Sequence, residues 1–543
     1  MTRPARLVLL ASLCSLLACT EERDDDGNAA PGITSPVTTA SGTGGQADDG
    51  GDETGEKLDI GGGGTGQMTG GDGTAPVGSC EEAAQNASNQ GCEFWAVDLP
   101  NAWAGINGSP APADQQFAVV VANTASEASA SVQVFNGVSG AMVETTSVPP
   151  GQIHEFRLPA LNQEPRANTY GGQSYRVESD VPITAYQFNP LDNTVQVFSN
   201  DASLLFPTPV LDTDYTAITG NALWLSTDAE PNGDNAGAFV SVVATEDATT
   251  VDLFATWGLY AGDTQGVTLN RGEVFTAVSV IPGANMGDGS LSGSRVVADK
   301  PVAVFAGNVA TLEPNPGQCC ADHLEQQMLP LVAWGDSYLA APPPSPTVPG
   351  EIVPAAYRIT GSFDGTTLTY SPAPPPGAPT TINAGETVRF ETNLPFTVTS
   401  GDPEQSFALT QFLLSSQALG GAFSSQGDPA MISLPAAAQY QEDYIFLVPD
   451  GYASNYVTVV RQQGASVERD GVSVDAAGWM PLGVLDGVGY EYVHLAVETG
   501  SHRVVSDQPC GIVSVGYDQD VSYGYPGGSG LEVISTPPPP PVG

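Results

Sequence analysis

The chain has 543 residues, with 15 Lys and Arg against 61 Asp and Glu and a formal net charge of -46. A surface this acidic repels nucleic acids and anionic headgroups, which excludes DNA, RNA and acidic-membrane binding as functions. Length points to three or four domains, and abundant Gly and Pro without long helical periodicity points to an all-β protein. The acids are scattered rather than set at ligand spacing, so neither a metal site nor a cofactor is read from them.

The N-terminus reads as an address. Arg3 and Arg6 precede an apolar run from Leu7 to Leu17, too short to span a membrane stably. The run ends in Leu16-Leu17-Ala18-Cys19, which resembles the bacterial lipobox. That resemblance implies a signal peptide over 1–18 and lipidation of Cys19. Thr20 follows where an Asp typically retains such lipoproteins at the inner membrane. The expected localisation is therefore a Gram-negative outer membrane, with the chain lipid-anchored and surface-exposed. Residues 19–78 are rich in Gly, Asp, Thr and Ser and bury too little to offset chain entropy. They read as a disordered tether with a reach of roughly 40 Å.

From Cys80 onward, short β-branched and aromatic runs alternate with Gly, Pro, Asn and Asp. A glycine turn recurs at Gly151, Gly272 and Gly385, with a weaker copy at Gly478. An acid-to-proline step recurs with prolines 182, 301, 403 and 509, which stand 119, 102 and 106 residues apart. Proline cannot donate to a ladder, so each is expected at the first residue of a strand. The period predicts four tandem β-sandwich-like modules, at 79–209, 210–331, 332–430 and 431–536, with a β-propeller as the alternative. Residues 537–543 are expected to be a disordered Pro-rich tail.

The second module and its exit carry a resemblance. The residues are Val242 to Val251, Leu269 to Glu273, Val297 to Gly307, Asp322-His323-Leu324, Gln327, Leu329-Pro330 and Trp334-Gly335. Together they resemble the N-terminal domain of the IgGFc-binding protein family, most strongly over about 235–340 and extending over about 90–530. The resemblance implies an extracellular adhesion or recognition role. Where the family carries a cysteine after its Phe-x-Gly strand, this chain has Val309-Ala310 and offers Cys319-Cys320 instead. The family's disulfide at that loop is not carried over.

Five cysteines follow the anchor: Cys80, Cys92, Cys319, Cys320 and Cys510. Export permits disulfides, and spacing favours Cys80 with Cys92. Two arrangements of the rest stay open: Cys319 or Cys320 with Cys510, or a vicinal Cys319–Cys320 ring. Zinc on Cys319, Cys320 and His323 is disfavoured, since adjacent cysteines seldom share one tetrahedral ion. Candidate binding residues are Asp322, His323, Glu325 and Trp334, then the tyrosines Tyr517, Tyr523 and Tyr525 of the Gly-rich C-terminal run. The segment from Cys319 to Gly335 reads as a loop clasping modules two and three. No hydrolase or phosphate-binding motif is present, so no catalytic residue is named. The expected function is non-catalytic recognition of an extracellular protein or glycan. The alternatives are a carbohydrate-active hydrolase, with two carboxylates in a cleft, and a structural envelope spacer.

Overall fold

The computed structural model describes residues 78–191, 199–283, 288–314, 320–420 and 425–540. These lie within one unit, Gly73–Gly543. The signal segment, Cys19, the tether up to residue 77 and Cys319 fall outside the described residues.

The body is all-β, with one seven-stranded and two eight-stranded antiparallel sheets and smaller sheets at 223–236 and over 337–433 among the described residues. Two kinds of strand build it. Ala130–Asn136 and Thr249–Phe254 alternate buried and more exposed positions, as strands with one wet face do. Phe117–Asn123, Ala238–Ala244 and Ala355–Gly361 are buried along their whole length, and the first two read as nearly unbroken apolar runs.

The prolines do not begin strands. Pro182, Pro301 and Pro509 lie inside three long strands, Tyr175–Asn189, Arg295–Thr311 and Gly500–Asp518. In each, the strand changes partner at the proline. Tyr175–Ser179 pairs with Val132–Asn136, whereas Ile183–Phe188 pairs with Ala118–Asn123. Arg295–Ala298 pairs with Val251–Phe254, and Val302–Asn308 with Ala238–Ala244. Val504–Ser506 pairs with Val467–Arg469, and Gly511–Tyr517 with Ser454–Val460. Strands that pass from one layer to another bend at such corners. A residue without an N–H costs least where the ladder is already interrupted. In the third module the corner opens fully: Phe396–Thr399 and Phe407–Phe412 are separate strands, with Pro403 in the turn between them.

Each of these four carriers is followed by a short partner strand. The partners are Asp201–Leu204, Asp322–Gln327, Met431–Ser433 and Val521–Pro526. Each pairs with its own carrier. The four partners also touch one another in a closed cycle, first with second, second with third, third with fourth and fourth with first. They form the hub of the molecule. Within the segment read as a loop clasp, Asp322–Gln327 is a buried strand. It packs against two neighbouring hub strands rather than one.

Two local features close the ring. Gly307, opposite Glu325 in the ladder, lets the second carrier and its hub strand meet, because a Cβ there would stand 1.7 Å from the Leu324 carbonyl oxygen. At the chain's ends, Asn89 N donates to Ser529 O at 3.1 Å, Ser529 N to Asn89 Oδ1 at 3.0 Å and Leu531 N to Ala87 O at 2.8 Å. The hub therefore resembles a propeller's in being cyclic, with one module at each station.

The Pro-rich tail departs from its expected disorder. Through Pro540 it is described, and the Arg295 guanidinium, paired with Asp214, donates to the carbonyls of Pro538 and Pro539. A polyproline segment has no internal hydrogen bonds, so its carbonyls are free to accept from such a donor.

Candidate functional site: a polar hub where four strands meet

A hub strand has a ladder partner on one edge only. Its other edge points into the ring, where buried N–H and C=O groups must still be satisfied. Side chains of the neighbouring hub strands do this. Asp201 Oδ2 accepts from Glu325 N at 3.1 Å and from Met431 N at 3.4 Å. Ser203 Oγ accepts from Gln327 N at 2.7 Å, while Gln327 Oε1 accepts from Phe206 N at 2.8 Å. Gln326 Nε2 donates to Ala202 O at 2.8 Å and Gly524 O at 3.3 Å. Asp322 Oδ1 accepts from Asn200 N at 2.5 Å, and Ser522 Oγ from Asp428 N at 2.8 Å. The polar character of these strands follows from their position: side chains replace the ladder that the ring cannot supply.

The seven candidate binding residues are all inside. Asp322, His323, Glu325, Tyr523 and Tyr525 are 0% exposed, and Trp334 and Tyr517 are 2% exposed. The expectation of a binding surface at these residues is corrected accordingly. The structure brings Asp322, His323, Glu325, Tyr523 and Tyr525 together on hub strands and places the other two elsewhere. Tyr517 lies on the fourth carrier and donates to Pro344 O at 3.2 Å. Trp334 donates to Leu329 O at 3.3 Å and packs in the second core. Tyr525 donates to Leu447 O at 2.9 Å and Tyr523 to Asn455 Oδ1 at 3.0 Å, with their rings 5.2 Å apart. Aromatic side chains with a satisfied polar tip are good packing units, and here they fill the ring.

His323 Nε2 stands 3.5 Å from Glu325 Oε2, and its ring stacks on Phe239 at 5.8 Å. Burial pushes the imidazole down to about 3 and pushes Glu325 well above the usual carboxylate range. They meet as two neutral groups rather than as an ion pair. Gln187 Nε2 donates to the same Glu325 oxygen at 3.1 Å. Sealed in this way, the pair does not reach a sugar or peptide at the surface.

Cys80 and Cys92 form a disulfide, with Cα atoms 5.7 Å apart, that ties the helix Cys80–Gln85 to the strand Gly91–Ala96. Cys320 is also disulfide-bonded. Cys510 is a free thiol, which removes the arrangement that pairs it with Cys319 or Cys320. It is fully buried among Phe446, Val459 and Val504 in the fourth core, and burial pushes its thiol up to about 12. Cys320 lies elsewhere, its sulfur 3.6 Å from Asp520 Oδ1.

Asn200, Asp201, Gln187, Gln326 and Asp428 were not singled out from the sequence. A signal for them exists. Each hub strand starts at or just after an aspartate, at 201, 322, 428 and 520, and a proline follows six to eight residues later, at 207, 330, 435 and 526. Three-residue 3-10 turns then follow at Thr208–Val210, Leu331–Ala333 and Ala437–Gln439.

A solved anti-sigma factor domain-containing protein from Clostridium clariflavum aligns over 73% of this chain and 99% of its own at 9% identity, but its TM-score of 0.10 is too low to relate the folds. The human IgGFc-binding protein is 24% identical over 424 residues, which cover 76% of this chain and 7% of that protein. The family model described as IgGFc binding protein matches residues 201–516, from the first hub strand to near the end of the fourth carrier. With more than half its length matched, the chain belongs to the IgGFc-binding protein family.

Proposed function

We propose that this is a non-catalytic recognition protein. In this reading it is anchored through lipidated Cys19, held off an outer membrane by the 19–78 tether, and built of four modules divided near 209, 331 and 430. The observation that carries the binding reading is the family match over 201–516. The polar hub supports it from the other direction. The carboxylates that a hydrolase would place in a cleft, Asp201, Asp322, Glu325 and Asp428, are at most 1% exposed and are sealed within the ring. Contacts to a partner then fall to the outer strands and turns.

The chemistry of that outer face narrows the partner. All ten arginines from Arg157 to Arg503 are within ion-pair distance of a carboxylate. Lys300 donates to the Asp247 carbonyl. The positive charge of the body is thus internally neutralised, and the excess facing outward is carboxylate. The partner that fits is a protein surface carrying Lys or Arg, met by charge steering and held by contacts at outer turns. The immunoglobulin Fc fragment in the family's name is the first one to test.

The full-length chain in detergent, passed over immobilised Fc and over unrelated extracellular proteins, is expected to be retained by Fc. Retention should weaken at least several-fold as salt rises from about 50 to about 500 mM, because exposed charges are screened. Retention by none of these surfaces at micromolar concentrations would overturn the recognition reading. Retention that does not respond to salt would overturn its electrostatic part.

A further inference from the structure

The four hub strands begin alike, and that likeness places four aspartates at one end of the ring. Asp201 opens the first strand and Asp322 the second, while Asp428 and Asp520 stand just before the third and fourth. Their surroundings differ in a telling way. The Asp201 carboxylate is satisfied by three main-chain N–H groups, those of Ala202, Glu325 and Met431. Asp520 lies against the Cys320 sulfur. Asp322 uses Oδ1 for Asn200 N and His323 N, but its Oδ2 has no partner. Neither side-chain oxygen of Asp428 has one. Asn200 gives its amide N–H to Tyr452 OH at 2.8 Å, which leaves its side-chain oxygen bare as well. Asp322 and Asp428 are 0% exposed and Asn200 is 1% exposed.

These four unpartnered atoms are all oxygens: Asn200 is bonded to Asp322 and to Tyr452, while Asp428, whose N–H is held by Ser522 Oγ on the fourth hub strand, is near enough for its charge to act on Asp322. A buried, unpaired carboxylate is among the costliest arrangements in a fold and persists only with a counter-charge or a proton. No arginine or lysine contacts these groups among the described residues; the charges that Asp322 and Asp428 feel are those of other aspartates. Burial and that repulsion push both well above the usual carboxylate range. Bare hard oxygens with no nitrogen or sulfur donor among them suit calcium rather than zinc.

We propose that this end of the hub is a site for a hard divalent cation of the calcium class, held by Asp322 Oδ2, the Asp428 carboxylate and Asn200 Oδ1. Among the described residues no three Asp, Glu, His or Cys side chains converge at ligand distance. The coordination is therefore two carboxylates and one amide oxygen, completed by main-chain oxygens and water, and two negative charges balance one divalent ion. Because Asp322 and Asn200 belong to the first two stations of the ring and Asp428 to the third, the ion would lock three modules together.

The test compares melting of the full-length chain after chelator treatment, with and without millimolar calcium chloride, for the wild type and Asp428→Asn. Calcium is expected to raise the wild-type midpoint by roughly 3 °C or more, since a ligand bound only by the native state stabilises by mass action. Asp428→Asn should lose that increment. It should melt no lower than the chelator-treated wild type, because it removes a buried charge at constant shape. An unchanged wild-type midpoint would overturn the site and leave the two aspartates as a proton-sharing pair. So would an increment retained in Asp428→Asn.

Discussion

Glu313→Ala is expected to cost about 3–5 kcal/mol of folding stability, measured by urea denaturation, because it strands a buried arginine. Glu313 is 2% exposed. Its Oε1 accepts from Arg389 Nε at 2.7 Å and its Oε2 from Arg358 Nη2 at 3.3 Å. The Arg358 side chain is 4% exposed and lies over the Phe412 ring, 4.6 Å from its centroid. It also donates to Thr219 O and to Asn221 Oδ1. These partners come from the start of the second module, its exit and two strands of the third. The main chain is joined too, since Ser415 N donates to Glu313 O at 2.8 Å. Removing the carboxylate would leave the Arg358 guanidinium desolvated with only neutral partners. The control is Glu155→Ala: its partner Arg157 is 49% exposed, so the loss there should stay below about 1 kcal/mol. Equal effects of the two substitutions would show that Arg358 finds water or another partner.

Asp98→Asn is expected to remove a pH dependence of stability between about pH 4 and pH 7. Asp98 is 3% exposed, and its Oδ2 accepts from Leu161 N at 2.8 Å. Burial raises its pKa to about 7, with the Leu161 hydrogen bond opposing the rise. Tyr175 and Glu325 are close enough to feel its charge. The native state therefore keeps a proton that the unfolded chain releases near pH 4. The contribution is fully present below that value and is lost as pH rises through about 7. The shift corresponds to at most ~4 kcal/mol across this window. His494, pushed down to about 4 by burial, tilts stability the other way over part of the same range. The informative quantity is therefore the difference between variant and wild type. Asp98→Asn should gain on the wild type from pH 4 to about pH 7 and then level off; parallel curves would contradict the assignment.

Much of this was legible in the sequence because it is set by local chemistry. Period-2 runs gave the strands, and the repeat of Pro182, Pro301 and Pro509 marked a module length. The role of those prolines was not legible, because a strand start and a mid-strand corner make the same demand, a residue with no N–H to offer. The polar run Asp322 to Gln327 looked like surface for a related reason. Polarity ordinarily signals solvent, and only the ring shows that Gln326 and Gln327 replace a missing ladder. An inter-module clasp was also expected, but at Cys319 to Gly335. Much of that role falls to Glu313, whose two arginine partners lie 45 and 76 residues away and follow no spacing rule.

The four short strands form one sealed structural hub. Native-state amide hydrogen exchange tests it most directly. The amides of Asp201–Leu204, Asp322–Gln327, Met431–Ser433 and Val521–Pro526, apart from Pro526, which has none, should exchange together and among the slowest in the chain. The outer strand Met142–Val148, which pairs on one side only and is exposed at Met142 and Val143, should exchange far faster. Hub amides that exchange as fast as that outer strand would contradict the account.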